Sequence, residues 1–107
     1  MSKPLKIQIV EKARALIADE QNWCPRHLAE DVNGVSVSPI SASAVKRCGL
    51  GAVIAAAYQL THDYDVADRL GHEALRPRYG AVTLIYVNDT IGHAAVLALF
   101  DEVIAAG

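Results

Sequence analysis

The sequence predicts an all-α fold: a compact bundle of four to five helices with one short β-hairpin near residues 28–38, in a single domain of residues 1–107. Hydrophobic residues make up 52% of the chain and 18 residues are alanine, which favours closely packed helices over a thick aromatic core. Apolar residues recur at helical spacing in most segments. Proline and glycine fall singly between these segments, as expected for connections within one domain.

The first predicted helix covers residues 4–20. Leu5, Ile9, Ala13 and Ile17 form its apolar face. Pro4 suits the first turn, because a backbone N–H at that position has no partner within the helix. This segment is therefore an amphipathic helix with one face toward the core.

The predicted hairpin follows Trp23, where Pro25 ends the helical pattern. Asn33-Gly34 tolerates positive φ, and Val35 and Val37 alternate with serines. An isolated hairpin is marginal in water, so we expect this one to lie against the helices.

The second predicted helix is the buried centre of the bundle. Ser41 is its expected N-cap, and the helix runs to about residue 60. Beyond Arg47 it is apolar on all sides, which is typical of a central helix. Gly49 and Gly51 would let a neighbouring element approach closely.

A shorter third helix is predicted to end near residue 75, with Asp63 or Asp65 as its N-cap. Arg76 and Arg78 follow it on either side of a proline. Two arginines in this setting are typical of a solvated loop, with a small anion site as the alternative.

In the last part of the chain, the secondary structure of residues 79–87 is uncertain from the sequence, whereas the segment after them is clearly predicted to be a helix. The β-branched residues of 79–87 favour a strand by propensity. A final helix is predicted at residues 92–105, with Asp89 or Thr90 as its N-cap.

Charge and hydropathy exclude two classes of partner. The formal net charge is −2 and the ten Lys and Arg residues are scattered, so we expect no nucleic-acid partner. No apolar run is long enough for a membrane span, and charged residues interrupt the first segment, so we expect neither a membrane anchor nor a signal peptide. We therefore expect a cytoplasmic protein in which Cys24 and Cys48 remain reduced.

Thiol or imidazole catalysis is one candidate chemistry. A cysteine nucleophile needs a base within hydrogen-bond reach and a third group that orients the base. Cys24 or His93 together with Asp89 would supply these groups for a small hydrolase or transferase. The spacing does not require them to meet. Cys48 lies in the apolar stretch, where a thiol packs as a small hydrophobe. Buried packing is the favoured interpretation for Cys24 as well, with a more exposed thiol as the alternative.

A metal site is a second candidate. Cys24-x2-His27 has the spacing of a zinc-binding pair. A structural zinc site needs four ligands, and Cys48 with one more histidine would have to supply the rest. Such a pair arises easily by chance, so we expect no metal ion and no cofactor.

A ligand-binding face around Trp23, Asn88 and Asp89 is a third candidate, because polar groups beside a helix N-terminus could orient a ligand. In the alternative interpretation, Asp89 caps the last helix, Asn88 closes the preceding turn and Trp23 fills a gap in the core. His93 would be a neutral imidazole near Asp89, as in many general bases. A functional site, if the chain has one, is expected where these four residues meet.

The order of these landmarks resembles domain-of-unknown-function family 6197, a group of small bacterial and phage proteins. The family pattern has a tryptophan followed by a glycine, then Cys-x-x-Gly-Ala, then Trp-Asn-Asp with a nearby glycine. The chain matches this pattern at Trp23, Cys48, Gly51, Ala52, Asn88, Asp89 and Gly92. It departs at Pro25-Arg26, where the pattern has glycine, and at Val87, where the pattern has tryptophan. The resemblance implies that residues 79–87 are helical, and it implies no activity.

Together these observations favour a small, non-catalytic binding or protein-interaction domain. Its partner would be a protein or a small molecule, and the alanine-rich faces favour a homodimer. The alternative function is the small hydrolase or transferase, which requires Cys24 or His93 to converge with Asp89 in one concave pocket.

Overall fold

Five α-helices form within residues 3–107, the part of the chain that the computed structural model describes. They are α1 (Leu5–Ile17), α2 (Gly49–Thr61), α3 (Tyr64–Glu73), α4 (Ala81–Thr90) and α5 (His93–Ala106). Two short strands, β1 (Ala29–Glu30) and β2 (Lys46–Arg47), pair in antiparallel fashion. The predicted helical bundle with a small β-hairpin is therefore confirmed.

The helix α2 is the buried centre of the bundle, as predicted. Every residue from 49 to 57 is buried, and α1, α3 and α4 pack around it. Two glycines allow neighbouring segments to pack closely against α2. A Cβ at Gly71 of α3 would lie 2.6 Å from Ile54 Cγ1, and a Cβ at Gly51 would lie 1.9 Å from the Leu28 carbonyl oxygen.

The predicted start of this helix was wrong, because α2 begins at Gly49 and not near Ser41. The Ser41 hydroxyl accepts a hydrogen bond from the Ser43 N–H (3.2 Å) in a local turn, and β2 then continues the chain in extended form. Cys48 is the N-cap, and its Sγ accepts from the Gly51 N–H (3.3 Å). Cysteine is not a favoured N-cap residue, so local preference gave no indication of this start.

The predicted turn at Asn33-Gly34 forms, with Gly34 at a φ of 79°. The Gly34 N–H donates to the Asp31 carbonyl (3.0 Å), and Glu30 and Ser36 form a single antiparallel bridge. The strand partner of β1 is β2, however, with Ala29 opposite Arg47. The second strand therefore comes from a segment that the sequence assigned to a helix.

Residues 81–90 are helical, as the family resemblance implies and against their β propensity. Leu84 and Asn88, one turn apart, are the buried residues of α4. Tertiary packing of this face overrides the β-branched content, because strand preference mainly reflects fit to a pleated, half-buried surface.

The observed N-cap agrees with the sequence prediction for α3 but not for α5. Asp63 caps α3 as predicted, accepting from the Val66 N–H (3.1 Å). The N-cap of α5 is Gly92, with a φ of 124°, so the prediction that Asp89 or Thr90 caps this helix was wrong. Both residues belong instead to the last turn of α4.

No helix within residues 3–107 combines the length and the apolar character that crossing a bilayer requires.

Candidate functional site

The amide of Asn88 joins three parts of the fold. The residue is only 1% exposed and projects from α4 toward the start of α2. Its Oδ1 accepts from Trp23 Nε1 (2.7 Å) and from the Gly49 N–H (2.8 Å). Its Nδ2 donates to the Cys24 carbonyl (3.3 Å) and to Asp89 Oδ1 (2.9 Å). Both groups facing Oδ1 can only donate, which fixes the orientation of the amide.

These four hydrogen bonds use both lone pairs and both protons of the Asn88 amide. The predicted setting beside a helix N-terminus is present, but the helix is α2 and not α5. Gly49 is its first residue, and its N–H would otherwise lack an acceptor. The polar atoms of Asn88 and the Trp23 indole N–H are therefore engaged within the chain.

Asp89 is exposed and connects α4 to the loop that follows Trp23. Its Oδ1 accepts from the backbone N–H of Arg26 (2.9 Å). Arg26 has a φ of 71°, in the left-handed region that non-glycine residues seldom adopt. The Asp89 carboxylate thus helps to hold a strained residue, and the Arg26 side chain is exposed beside it.

His93 connects the start of α5 to the end of α1. Its Nε2 donates to the carbonyl of Ile17 (2.6 Å), since a carbonyl can only accept. Ile17 is the last residue of α1, so this bond satisfies one of the carbonyls that a helix end leaves unpaired. The imidazole also lies against Trp23, with ring centroids 5.6 Å apart. The structure thus brings together Trp23, Asn88, Asp89 and His93, as the sequence expects of a candidate site.

Both cysteines are free and buried. Cys24 is 2% exposed and Cys48 is 5% exposed, which agrees with the favoured interpretation that both thiols are buried and rules out the alternative of an exposed Cys24. Burial raises the pKa of Cys24 from its ordinary value of 9.0 to about 12, with a smaller effect from the charge of Glu30. Burial also raises the pKa of Cys48. Both thiols are therefore protonated near neutral pH, and a protonated thiol is a poor nucleophile.

Cys24 and His27 contact each other through the backbone and not as a pair of metal ligands. Cys24 Sγ donates to the His27 carbonyl (3.6 Å), while His27 Nε2 faces Glu30 Oε2 at 3.8 Å. Within residues 3–107, no three His, Cys, Asp or Glu side chains are arranged to hold a metal ion.

A shallow groove lies between the loop of residues 26–28 and α4, and we call it the α4 groove. Its volume is about 220 Å³. The lining residues are Arg26, His27, Leu28, Cys48, Ile85 and Asp89. Pockets for small organic ligands usually have about 300–1,000 Å³, so the α4 groove is closer in size to a site for one side chain.

An exposed apolar surface adjoins this groove, and sequence analysis missed it. Val82, Ile85, Tyr86 and Asp89 are separated by three, four and seven residues and share one side of α4, which we call the α4 face. Val82 is 82% exposed and Tyr86 62% exposed. Their spacing is also that of a buried helix face, so only the packing of Leu84 and Asn88 shows which side of α4 meets solvent.

Comparison with known proteins gives one match at the level of the family. No curated protein matches the chain, and no solved structure matches it. The family model described as "Family of unknown function (DUF6197)" matches residues 1–106. Since this match covers nearly the whole chain, the protein belongs to the DUF6197 family.

Proposed function

We propose that this protein is a non-catalytic protein-interaction domain whose binding surface is the α4 face together with the α4 groove, and whose partner is a second copy of the chain. The observation that carries the proposal is the exposure of Val82, Ile85 and Tyr86 on one side of a single helix. A cluster of large exposed apolar residues is typical of an interaction site, whereas scattered ones are not.

The size of the α4 groove supports a protein partner over a small ligand. At about 220 Å³ it would accept one side chain from an opposing surface. Leu28 and Ile85 supply apolar contact there, and both are partly exposed. An aromatic residue such as Tyr86 of an opposing copy has the character of a residue that anchors an interface.

The charges beside the groove favour a second copy as the partner. Arg26 and Asp89 both line it, and within residues 3–107 neither forms an ion pair with another side chain. A twofold axis places the same patch against itself, so Arg26 of one copy can face Asp89 of the other. A patch that carries one cation and one anion is self-complementary under this symmetry.

The alternative function, a hydrolase or transferase, has less support. Its nucleophile Cys24 is buried and has a pKa near 12, and His93 Nε2 is engaged by the Ile17 carbonyl. The proposal includes a cytoplasmic location, which is supported by the two free cysteines, since thiols stay reduced in that compartment.

Sedimentation velocity over a range of protein concentrations tests the proposal. We expect the wild-type chain to form a dimer in the micromolar range. Val82→Glu and Tyr86→Glu should shift it to a monomer, because each places a charge in an apolar interface at a position that folding leaves exposed. Arg26→Asp should raise the dissociation constant about tenfold.

Val32→Glu is the matched control. Val32 is 79% exposed, close to the 82% of Val82, but it lies at the β-turn and not on α4. This variant should dimerise like the wild type. A wild-type chain that stays monomeric at millimolar concentration would contradict the proposal, as would equal dimerisation of the Val82→Glu and Val32→Glu variants.

A further inference from the structure

A second groove lies apart from the proposed interface, and none of its lining residues belongs to the α4 face or the α4 groove. It lies between the first turn of α1, the segment after α3 and the end of α5, and its volume is about 410 Å³. We call it the basal groove. This volume falls within the range of about 300–1,000 Å³ that is usual for small-ligand sites.

The floor of the basal groove is apolar. Ile7, Leu75 and Val103 form it, and all three belong to the buried core of the protein. Their exposed edges offer no hydrogen-bonding group to water. A ligand that covers them therefore gains the free energy of removing apolar surface from solvent.

The rim of the groove is positively charged. Lys6, Arg76 and Arg78 line it, and the lining includes no Asp or Glu side chain; the one anionic group in the lining is the main-chain carboxylate of Gly107 at the end of α5. Arg78 is already paired, because its Nε lies 3.2 Å from Glu102 Oε2. Hydrogen bonds from Tyr79 and then from Arg78 lower the pKa of Glu102, so this carboxylate stays ionised and balances Arg78.

Two rim cations are left without a counter-charge. Within residues 3–107, neither Lys6 nor Arg76 has a carboxylate within 4 Å. The Arg76 backbone is fixed by its N–H, which donates to the Glu73 carbonyl (3.0 Å). The Arg76 side chain is exposed, and a guanidinium can bind a planar carboxylate through two parallel hydrogen bonds. The negative end of the α5 dipole, near Ala106, places such an anion at the Lys6 and Arg76 side.

We propose that the basal groove binds a single-chain alkyl carboxylate of medium length. The carboxylate pairs with Arg76 and Lys6, and the alkyl chain covers Ile7, Leu75 and Val103. The charge surplus requires an anionic head group, and the apolar floor requires a hydrocarbon tail. The α4 groove and the groove between α1 and α3 lack this combination, because Asp89 lines the first and Glu73 lines the second.

Isothermal titration with hexanoate, octanoate and decanoate tests the tail, using the full-length protein below the micelle concentration of each ligand. Each added methylene that is buried should lower the Kd about fourfold until the floor is covered. 1-Octanol should bind at least tenfold more weakly than octanoate, because it lacks the charge. Equal binding of the two would overturn the proposal.

Variants of the rim test the head group. Arg76→Gln and Lys6→Gln should each raise the Kd for octanoate about tenfold or more. Arg69→Gln is the matched control, since Arg69 is an exposed arginine of α3 that faces Glu73 outside the basal groove, and it should leave the Kd unchanged. Circular dichroism verifies that each variant is folded.

Two further measurements separate this ligand from other occupants. Inorganic phosphate should not compete with octanoate at equal concentration, and effective competition would indicate an anion site that does not use the floor, contrary to the proposal. Amide chemical shifts should change at Ile7, Leu75 and Val103. Shifts confined to the α4 face would overturn the basal groove as the site while leaving the proposed dimer surface unaffected.

Discussion

At the scale of single residues, the side chains that the sequence marks as candidate functional groups mostly hold the fold together. Asn88 connects Trp23, Cys24 and Gly49, and His93 satisfies the last carbonyl of α1. A buried amide can take this role only when all its hydrogen bonds are made, because an unmatched donor or acceptor in the core is costly. The cluster thus stabilises the fold, and we propose that a partner binds to the surface beside it.

Arg26 accounts for one departure from the family pattern. The pattern has a glycine in the segment after the first tryptophan, and Arg26 here adopts a φ of 71°. Glycine reaches this conformation without steric cost, whereas arginine does not. The bond from the Arg26 N–H to Asp89 compensates for part of this strain. The strained residue therefore presents its guanidinium at the rim of the α4 groove.

Replacing Asn88 tests the importance of this amide. We expect Asn88→Ala to lower the free energy of unfolding by about 3 kcal/mol or more, because it leaves the Trp23 and Gly49 N–H groups and the Cys24 carbonyl without a partner. Trp23→Phe removes only one of these bonds, so it should cost less than Asn88→Ala. Urea denaturation followed by circular dichroism measures both.

Asn22→Ala is the control, since Asn22 is exposed and its side chain makes no hydrogen bond with the described residues. It should change the free energy of unfolding by less than about 0.5 kcal/mol. Similar effects of the Asn88→Ala and Asn22→Ala substitutions would contradict the role of Asn88.

At the scale of elements, the position of α2 depends on a close contact between its first turn and the backbone of Leu28. Gly51 faces the backbone carbonyl of Leu28, and this carbonyl also accepts a hydrogen bond from the Cys48 N–H (3.1 Å). Leu28 lies just before β1, so this contact fixes the small sheet against the N-terminus of the central helix. Only a residue without a Cβ allows the two backbones to approach to this distance.

Gly51→Ala tests this close approach. Alanine favours a helix over glycine by about 1 kcal/mol, so local propensity alone predicts a gain in stability. A Cβ at residue 51 would nevertheless lie 1.9 Å from a backbone oxygen, which no side-chain rotation relieves. We expect a loss of about 3 kcal/mol or more, measured by thermal and urea unfolding.

Gly80→Ala is the matched control, because nothing lies within 4 Å of a Cβ at this position. It should leave the stability within about 1 kcal/mol of the wild type. A Gly51→Ala variant as stable as the Gly80→Ala variant would show that α2 and residue 28 are not packed as described.

At the scale of the whole molecule, two surfaces differ in character, and we propose a different partner for each. The α4 face is apolar and flanked by one cation and one anion, whereas the basal groove joins an apolar floor to unbalanced positive charge. The buried residues include two thiols with raised pKa values, Cys24 and Cys48. The surfaces determine the proposed partners, and the buried thiols determine how stability depends on pH.

The free energy of unfolding above pH 9 tests whether the buried thiols stay protonated in the folded protein. The unfolded chain loses its thiol protons from about pH 9, while folded Cys24 keeps its proton until about pH 12. Above pH 9 the unfolded state therefore binds fewer protons, and stability falls as pH rises. The free energy of unfolding should decline by up to about 1.4 kcal/mol per pH unit for each thiol.

Urea unfolding at pH 7 to 10.5 measures this decline. Cys24→Ser replaces the thiol with a group that does not titrate in this range. The decline in its free energy of unfolding per pH unit should therefore be smaller than that of the wild type by the contribution of one thiol. Identical slopes for the wild type and this variant, or a wild-type chain whose stability is unchanged above pH 9, would contradict the protonated state of buried Cys24.

The sequence by itself determined the helical class, the buried central helix, the turn at Asn33-Gly34 and the choice of Asp63 or Asp65 as the N-cap of α3. Each of these follows from local spacing or from residues within a few positions of one another, which is the information that periodicity and capping preferences contain. The same local information located the neighbourhood of the candidate site.

Only the tertiary structure decided where α2 begins and which side of α4 faces solvent, and it overrode the strand propensity of residues 81–90. The start of α2 depends on an acceptor 39 residues further along the chain, and Trp23 finds its partner 65 residues away. The apolar spacing of α4 suits a buried face as well as an exposed one, and packing of Leu84 and Asn88 against the bundle decides between them. Such contacts stabilise the fold without leaving a local pattern, so the sequence showed which residues matter but not what they contact.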